Sequence, residues 1–329
     1  MAVLTAAAML AGCVTTREGR IGADDGSDPC RAQLVALDST GNFFAEDILR
    51  GAAIGAVGGA ALGALVAAAA GGRGRNVAAG AAIGAVGGGL VGGGAGYLSA
   101  RQQQATDQAA LGQAVAGDLA AENAQLDRTQ IAFNQLMDCR FGTAQRIRED
   151  VRAGRLARPQ AEARLANIRA ATQRDLQLAQ TINQQIGRRG AEFDTAIDTV
   201  APGVKQQVQA GAAVGRTVPV QTRAAVPLKL RPDAASPEVA QLPPRERVTI
   251  RPAAAGNVLV ETASGLRGYA PASAFPEARA LPSPPDPAAA SDGDVRSLAA
   301  SNIARRDNFS ESVSNAQQLA EGRGFELAS

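Results

Sequence analysis

Gly51-Ala52-Ala53-Ile54-Gly55-Ala56-Val57-Gly58-Gly59 recurs residue for residue from Gly80 to Gly88. The duplication carries a period. Gly51, Gly55, Gly59 and Gly63 are four residues apart, and so are Gly80, Gly84, Gly88, Gly92 and Gly96. On a helix, every fourth residue falls in one stripe, and a stripe of glycines is a flat groove into which a second helix can pack closely. In water each of these glycines costs about 1 kcal/mol against alanine, so the pattern makes physical sense inside a bilayer. The halves 51–72 and 76–100 each offer roughly 20 uncharged residues, enough to cross the hydrocarbon. Gly71-Gly72-Arg73-Gly74-Arg75 is a charged turn between them. A helical hairpin over 48–100 satisfies its backbone groups internally. A Gly/Ala-rich linker is the alternative, and the exact spacing and the duplication count against it. Gly87, Gly89 and Gly92 also spell G-x-G-x-x-G, but no strand precedes them, so no dinucleotide site is expected.

Upstream, the apolar run Ala2 to Met9 leads into Leu10-Ala11-Gly12-Cys13. A short hydrophobic segment, small residues and then a cysteine have the shape of a bacterial lipobox. Residues 1–12 then read as a signal peptide, although no Lys or Arg precedes Cys13. Cys13 is the expected lipidation site, carrying the acyl (palmitate-type) anchor, and 13–47 the lipidated linker. Val14, not Asp, follows the cysteine, which in the sorting rule of bacterial lipoproteins leans toward the outer membrane.

The lipobox and the zipper together resemble the glycine-zipper lipoproteins of bacterial outer membranes, the group containing the rickettsial-type surface antigens. The resemblance covers Cys13 and Gly51 to about Gly96. It implies acyl chains and hairpin in one membrane, facing the periplasm, with a role in envelope integrity.

Composition sets limits on the rest. The 329 residues predict two or three units. Aromatics are 3% of the chain and Trp is absent, and much of the 46% apolar content is alanine, which buries little area. The net charge of +2 gives no electrostatic case for nucleic acid. Histidine is absent, which removes Ser-His and Cys-His nucleophile pairs and His-ligated metals. No catalysis, cofactor or metal is expected.

Residues 101–202 read as a helical hairpin. Leu111, Val115, Leu119, Leu126, Phe133 and Met137 form one stripe over Arg101 to Val151. Gly154 to Pro159 breaks the helix, with Pro159 suited to a first turn. Leu165, Ile168, Ile182, Ile186, Phe193 and Ile197 form a second stripe, so the two helices should pack antiparallel as a coiled-coil-like stalk. Cys30 and Cys139 remain after Cys13, and in an oxidising compartment an even remainder suggests a disulfide. Cys139 lies about 55 Å along its helix, and the residues from Cys13 to Cys30 span about that distance when extended. Two buried free thiols are the alternative.

Beyond Gly203 short apolar stretches alternate between Pro and Gly. Val218 to Val220, Val226 to Leu230, Val239 to Leu242, Arg247 to Ile250 and Val258 to Thr262 predict strands of a small barrel. Leu230-Arg231-Pro232-Asp233-Ala234-Ala235-Ser236-Pro237-Glu238-Val239 resembles the opening of bacterial SH3-like domains, as Gly265 to Phe275 resembles their close, with Tyr269 where that family carries Trp. The resemblance covers 217–276 and implies a module that binds peptidoglycan or a periplasmic protein through aromatics, here Tyr269 and Phe275. A core-capping tyrosine is the alternative for Tyr269. Residues 277–329 read as a Pro-rich linker and a mostly disordered tail, with a short helix around Val295 to Arg306.

The expected fold is multi-domain α + β: transmembrane hairpin, antiparallel helical stalk and small all-β SH3-like barrel. The expected function is that of a non-enzymatic outer-membrane lipoprotein, with homo-oligomers through the zipper. The alternative is an oligomeric pore or secretion-linked channel component, although 51–72 and 76–98 offer almost no polar residues to line a lumen.

Overall fold

The computed structural model describes residues 16–44, 95–213, 217–281 and 294–327. Cys13 and every zipper glycine except Gly96 lie outside the described residues. No helix among the described residues is long and apolar enough to cross a membrane.

The fold is mixed α + β. Helix α1 (Arg17–Ile21) and a helical run α2 over 31–44 come first. Then follow α3 (Ala95–Gln104), α4 (Gln108–Arg152), α5 (Arg158–Val200) and α6 (Val204–Ala213). The single helix expected from Arg101 is broken instead. Asp107 N-caps α4, its side chain accepting from the Ala110 N–H at 2.8 Å, which satisfies a donor that the helix start leaves open. Helix α5 opens with Pro159 in its first turn, where the missing N–H costs nothing. Gly154, at φ 69°, takes the left-handed turn between α4 and α5.

Both predicted stripes are core except Ile168, which is partly buried and packs against it. Leu111, Val115, Leu119, Leu126, Phe133 and Met137 are at most 3% exposed, as are Leu165, Ile182, Ile186 and Ile197, and Phe193 is also buried. They do not close on each other as a two-helix stalk. The expected disordered tail is α7 (Val295–Glu321), capped by Asp294 and laid against both long helices. Its Phe309 is 1% exposed and meets the Phe133 ring edge-on at 5.6 Å. A 3-10 turn, Arg323–Phe325, stacks Phe325 on Phe141 at 4.7 Å. The expected linker is likewise part of the bundle. Leu34, Leu37 and Phe44 of α2 are buried, and α2 runs antiparallel to α4, since Cys30 meets Cys139 while Gln125 donates to the Thr40 carbonyl. Residues read as linker, hairpin and tail therefore make one four-helix body (α2, α4, α5, α7).

The β region is a six-stranded antiparallel sheet of order β1-β4-β5-β6-β2-β3, from β1 (Val218–Gln221), β2 (Val226–Lys229), β3 (Glu238–Leu242), β4 (Arg247–Pro252), β5 (Asn257–Thr262) and β6 (Arg267–Pro271). Five strands match the alternation read in the sequence; β6 is additional. Val226, Leu228, Val248, Ile250, Val258, Val260 and Ala270 point to one buried face. Gly268 is required there: a Cβ would sit 2.8 Å from Leu228 Cβ and 3.2 Å from the Lys229 carbonyl. Edge strand β3 is covered by α4, with the Glu238 N–H donating to Gln145 Oε1 at 3.0 Å and Arg231 paired with Asp138. Covering an edge in this way removes a template for aggregation.

Candidate functional site

Side chains alternate across a strand, so with Val258, Val260 and Ala270 inward, Leu259, Glu261, Arg267 and Tyr269 face outward. The register puts Arg251, Leu259, Tyr269 and Lys229 in one row across β4, β5, β6 and β2, and Thr249, Glu261 and Arg267 in the next. Tyr269 is half-buried. Burial raises its hydroxyl pKa, while Arg251 and Arg267 beside it act in the opposite direction. Helix α7 lies against β6, so the face carrying Tyr269 is partly covered within the molecule.

Phe275 is the second aromatic expected at a binding groove, and the structure corrects that expectation. It is 0% exposed and belongs to the continuous apolar core. The 3-10 turns Ala272–Ala274 and Pro276–Ala280 on either side fold it under the sheet. A ligand cannot reach it without opening the core.

Between the outer sheet face and α7 lies a cleft of about 570 Å³. The sheet contributes Thr249, Arg251, Leu259 and Arg267. The helix contributes Asp307, Ser310, Glu311 and Ser314, which at spacings of three and four form one stripe. Arg251 pairs with Glu311 across the seam, and Arg267 with its cross-strand neighbour Glu261 at 3.0 Å. Leu259 is 5% exposed yet stands outside the main apolar core, as the floor beneath these charges. Arg267 Nε is buried with no hydrogen-bond partner. The sequence held a signal for this site, an all-polar i, i+3, i+4, i+7 stripe on α7, but a polar stripe ordinarily means solvent.

Within the bundle the structure joins Cys30 to Cys139 as a disulfide, with Cα atoms 5.8 Å apart. Beside it Arg140, 4% exposed, donates to Asp28 Oδ1 at 2.5 Å and to Asp175 Oδ2 at 2.7 Å. Burial pushes Asp28 upward, but hydrogen bonds from Arg140 and the Cys30 N–H hold it below the usual carboxylate range. Asp175 is deeper, and burial raises it despite Arg140. Sequence reading missed this trio because its members stand on three separate segments. Among the described residues no group of three or more His, Cys, Asp or Glu side chains is placed to hold a metal.

Phe43 and Tyr97, on either side of 45–94, belong to one chain of ring contacts. Arg189 lies over the Phe43 ring at 5.2 Å and over Phe193 at 5.9 Å, and Phe193 contacts Tyr97 at 5.1 Å. Arg189 also pairs with Glu122, which is 3% exposed. Tyr97 donates to Asp118 at 2.5 Å and Arg101 grips the same carboxylate. Burial, and then the bond to Asp118, raise the Tyr97 pKa. Phe43 and Tyr97, flanking the duplicated segment, are thus fixed to the same end of the bundle. Gly96 sits in α3, in the helix that makes this contact.

No family model matches the chain, and neither a curated protein nor a solved structure is similar to it.

Proposed function

We propose that this chain is a non-enzymatic lipoprotein of the bacterial cell envelope, held in the outer membrane by acyl chains on Cys13 and by the glycine-zipper hairpin, and presenting an SH3-like module to peptidoglycan or a periplasmic protein. One observation carries the reading. Phe43 and Tyr97 are linked through Arg189 and Phe193 at one end of the helical body. Flanking residues held at the same end of the bundle suit a hairpin crossing the bilayer twice, with the rest of the chain on one side. The module is docked further along. From Asp118, beside Tyr97, to Asp138, which holds Arg231 of the sheet, α4 rises about 30 Å. The bundle then acts as a spacer between membrane and module. The Cys30–Cys139 bond suits an oxidising compartment.

The test is palmitate labelling in cells with separation of inner and outer membranes, on the wild type and Cys13→Ser. The expected result is label in the outer-membrane fraction that Cys13→Ser abolishes. Unlabelled wild-type protein in the soluble fraction overturns the reading.

A further inference from the structure

We infer that the cleft between the outer sheet face and α7 binds a neutral, hydroxyl-rich ligand, a short stretch of oligosaccharide. The walls select against the other ligand classes. Two arginines and three carboxylates line the cleft, and the pairs Arg251–Glu311 and Arg267–Glu261 neutralise one another in place. A strongly charged ligand would have to break these pairs. An apolar ligand would lie against a helix wall of Asp307, Ser310, Glu311 and Ser314 and leave its polar groups unpaired. A polyol needs neither. It takes many directional donors and acceptors at near-zero net charge, and ion-paired Arg and Glu still offer unused N–H groups and lone pairs.

Two groups are free for such contacts. Arg267 Nε is buried with no partner, a donor suited to a ligand hydroxyl or amide carbonyl. Asp307 is in no ion pair among the described residues and projects from α7 into the same space. Burial raises its pKa, with Arg306 opposing and Asp194 adding to the rise. Thr249 on the sheet wall and Ser314 on the helix wall add hydroxyls to the lining, and Leu259 gives an apolar floor for the flat of a sugar ring. About 570 Å³ falls within the usual range of ligand sites. The polyol chemistry stands on the cleft alone. The choice of an N-acetylated glucosamine chain as its occupant rests on the envelope reading above.

The experiment is a saturation-transfer NMR and calorimetric titration of the full-length protein in detergent micelles with the tetramer of N-acetylglucosamine, beside maltotetraose. The same titrations are run on Thr249→Leu/Ser314→Leu, which fills the cleft, and on Ser314→Leu alone, a single change at an exposed helix position that guards against misfolding. Binding of the N-acetylglucosamine tetramer that both variants weaken at least tenfold, at unchanged circular dichroism, supports the inference. Binding of maltotetraose instead supports the cleft and counts against the envelope choice of sugar. No binding of either sugar, or binding that both variants leave unchanged, overturns it. Sedimentation with isolated sacculi by a protein that binds neither sugar would overturn the cleft inference and leave the envelope reading standing.

Discussion

Replacing Cys30 and Cys139 by alanine opens a covalent loop of 109 residues. In the chain-entropy description, a loop of that length contributes about 4.8 kcal/mol at 25 °C. If segment 45–94 enters and leaves a bilayer at one place, the effective loop shortens to about 60 residues and the contribution falls to about 4.3 kcal/mol. The bond closes α2 onto α4, and α2 contributes Leu34, Leu37 and Phe44 to the core. The loss should therefore be local before it is global. Urea unfolding of the detergent-solubilised protein, oxidised against Cys30→Ala/Cys139→Ala, should show a loss of about 4 kcal/mol. Hydrogen exchange should show residues 31–44 opening first. A loss below about 1 kcal/mol, or exchange in 31–44 unchanged, would refute the reasoning that the bond is what keeps α2 in the bundle.

Three further outcomes follow from the packing. Phe309→Ala empties a site that is 1% exposed and should cost about 3–5 kcal/mol, measured by thermal or urea unfolding; a near-neutral result would mean that α7 is not part of the core. Gly268→Ala places a methyl group 2.8 Å from Leu228 Cβ and should cost about 1–3 kcal/mol, with amide shifts concentrated in β2 and β6 by NMR. Asp28 is held below its ordinary pKa in the folded state, so its contribution to stability is complete above the unfolded value near pH 4 and is lost as pH falls through the folded value. Asp28→Asn should therefore be destabilised at pH 7 and approach the wild type at pH 2, and a stability gap that does not close on acidification would contradict the pairing with Arg140.

The sequence made some parts of this molecule plain and concealed others, for physical reasons. The stripes from Leu111 and from Leu165 are large aliphatic residues at helical spacing, and the structure buries them. The buried face of α7 has only Leu298, Phe309, Val313 and Leu319 as large apolar residues, spread among buried Ala, Ser and Asn. So sparse a pattern carries little contrast, and a 27-residue helix read as a tail. In α2 the glycine at 41 interrupts the apolar row. A Cβ there would stand 2.7 Å from Ile182, so the gap in the pattern is itself a packing contact. Strand β6 (Arg-Gly-Tyr-Ala-Pro) lacks apolar alternation because Gly268 takes an inward position. Phe275 shows the opposite error: an aromatic near a loop reads as a binding residue, while its two flanking 3-10 turns fold it inward. The cleft depends on α7 meeting the sheet across a long sequence separation, so the polar stripe on α7 that local spacing does show could not be told from a solvent face.

Placement of the duplicated segment is the claim on which the functional account rests, and one labelling experiment addresses it. Gly74→Cys and Ser99→Cys are introduced separately, with Cys30 and Cys139 kept in their disulfide, and intact cells are treated with a membrane-impermeant maleimide before and after the outer membrane is permeabilised. The account predicts that Gly74→Cys, in the turn between the zipper halves, labels from outside intact cells, whereas Ser99→Cys, in α3 beside the bundle, labels only after permeabilisation. Equal labelling of the two positions in intact cells, whether both react or neither does, would contradict a hairpin that crosses the membrane twice.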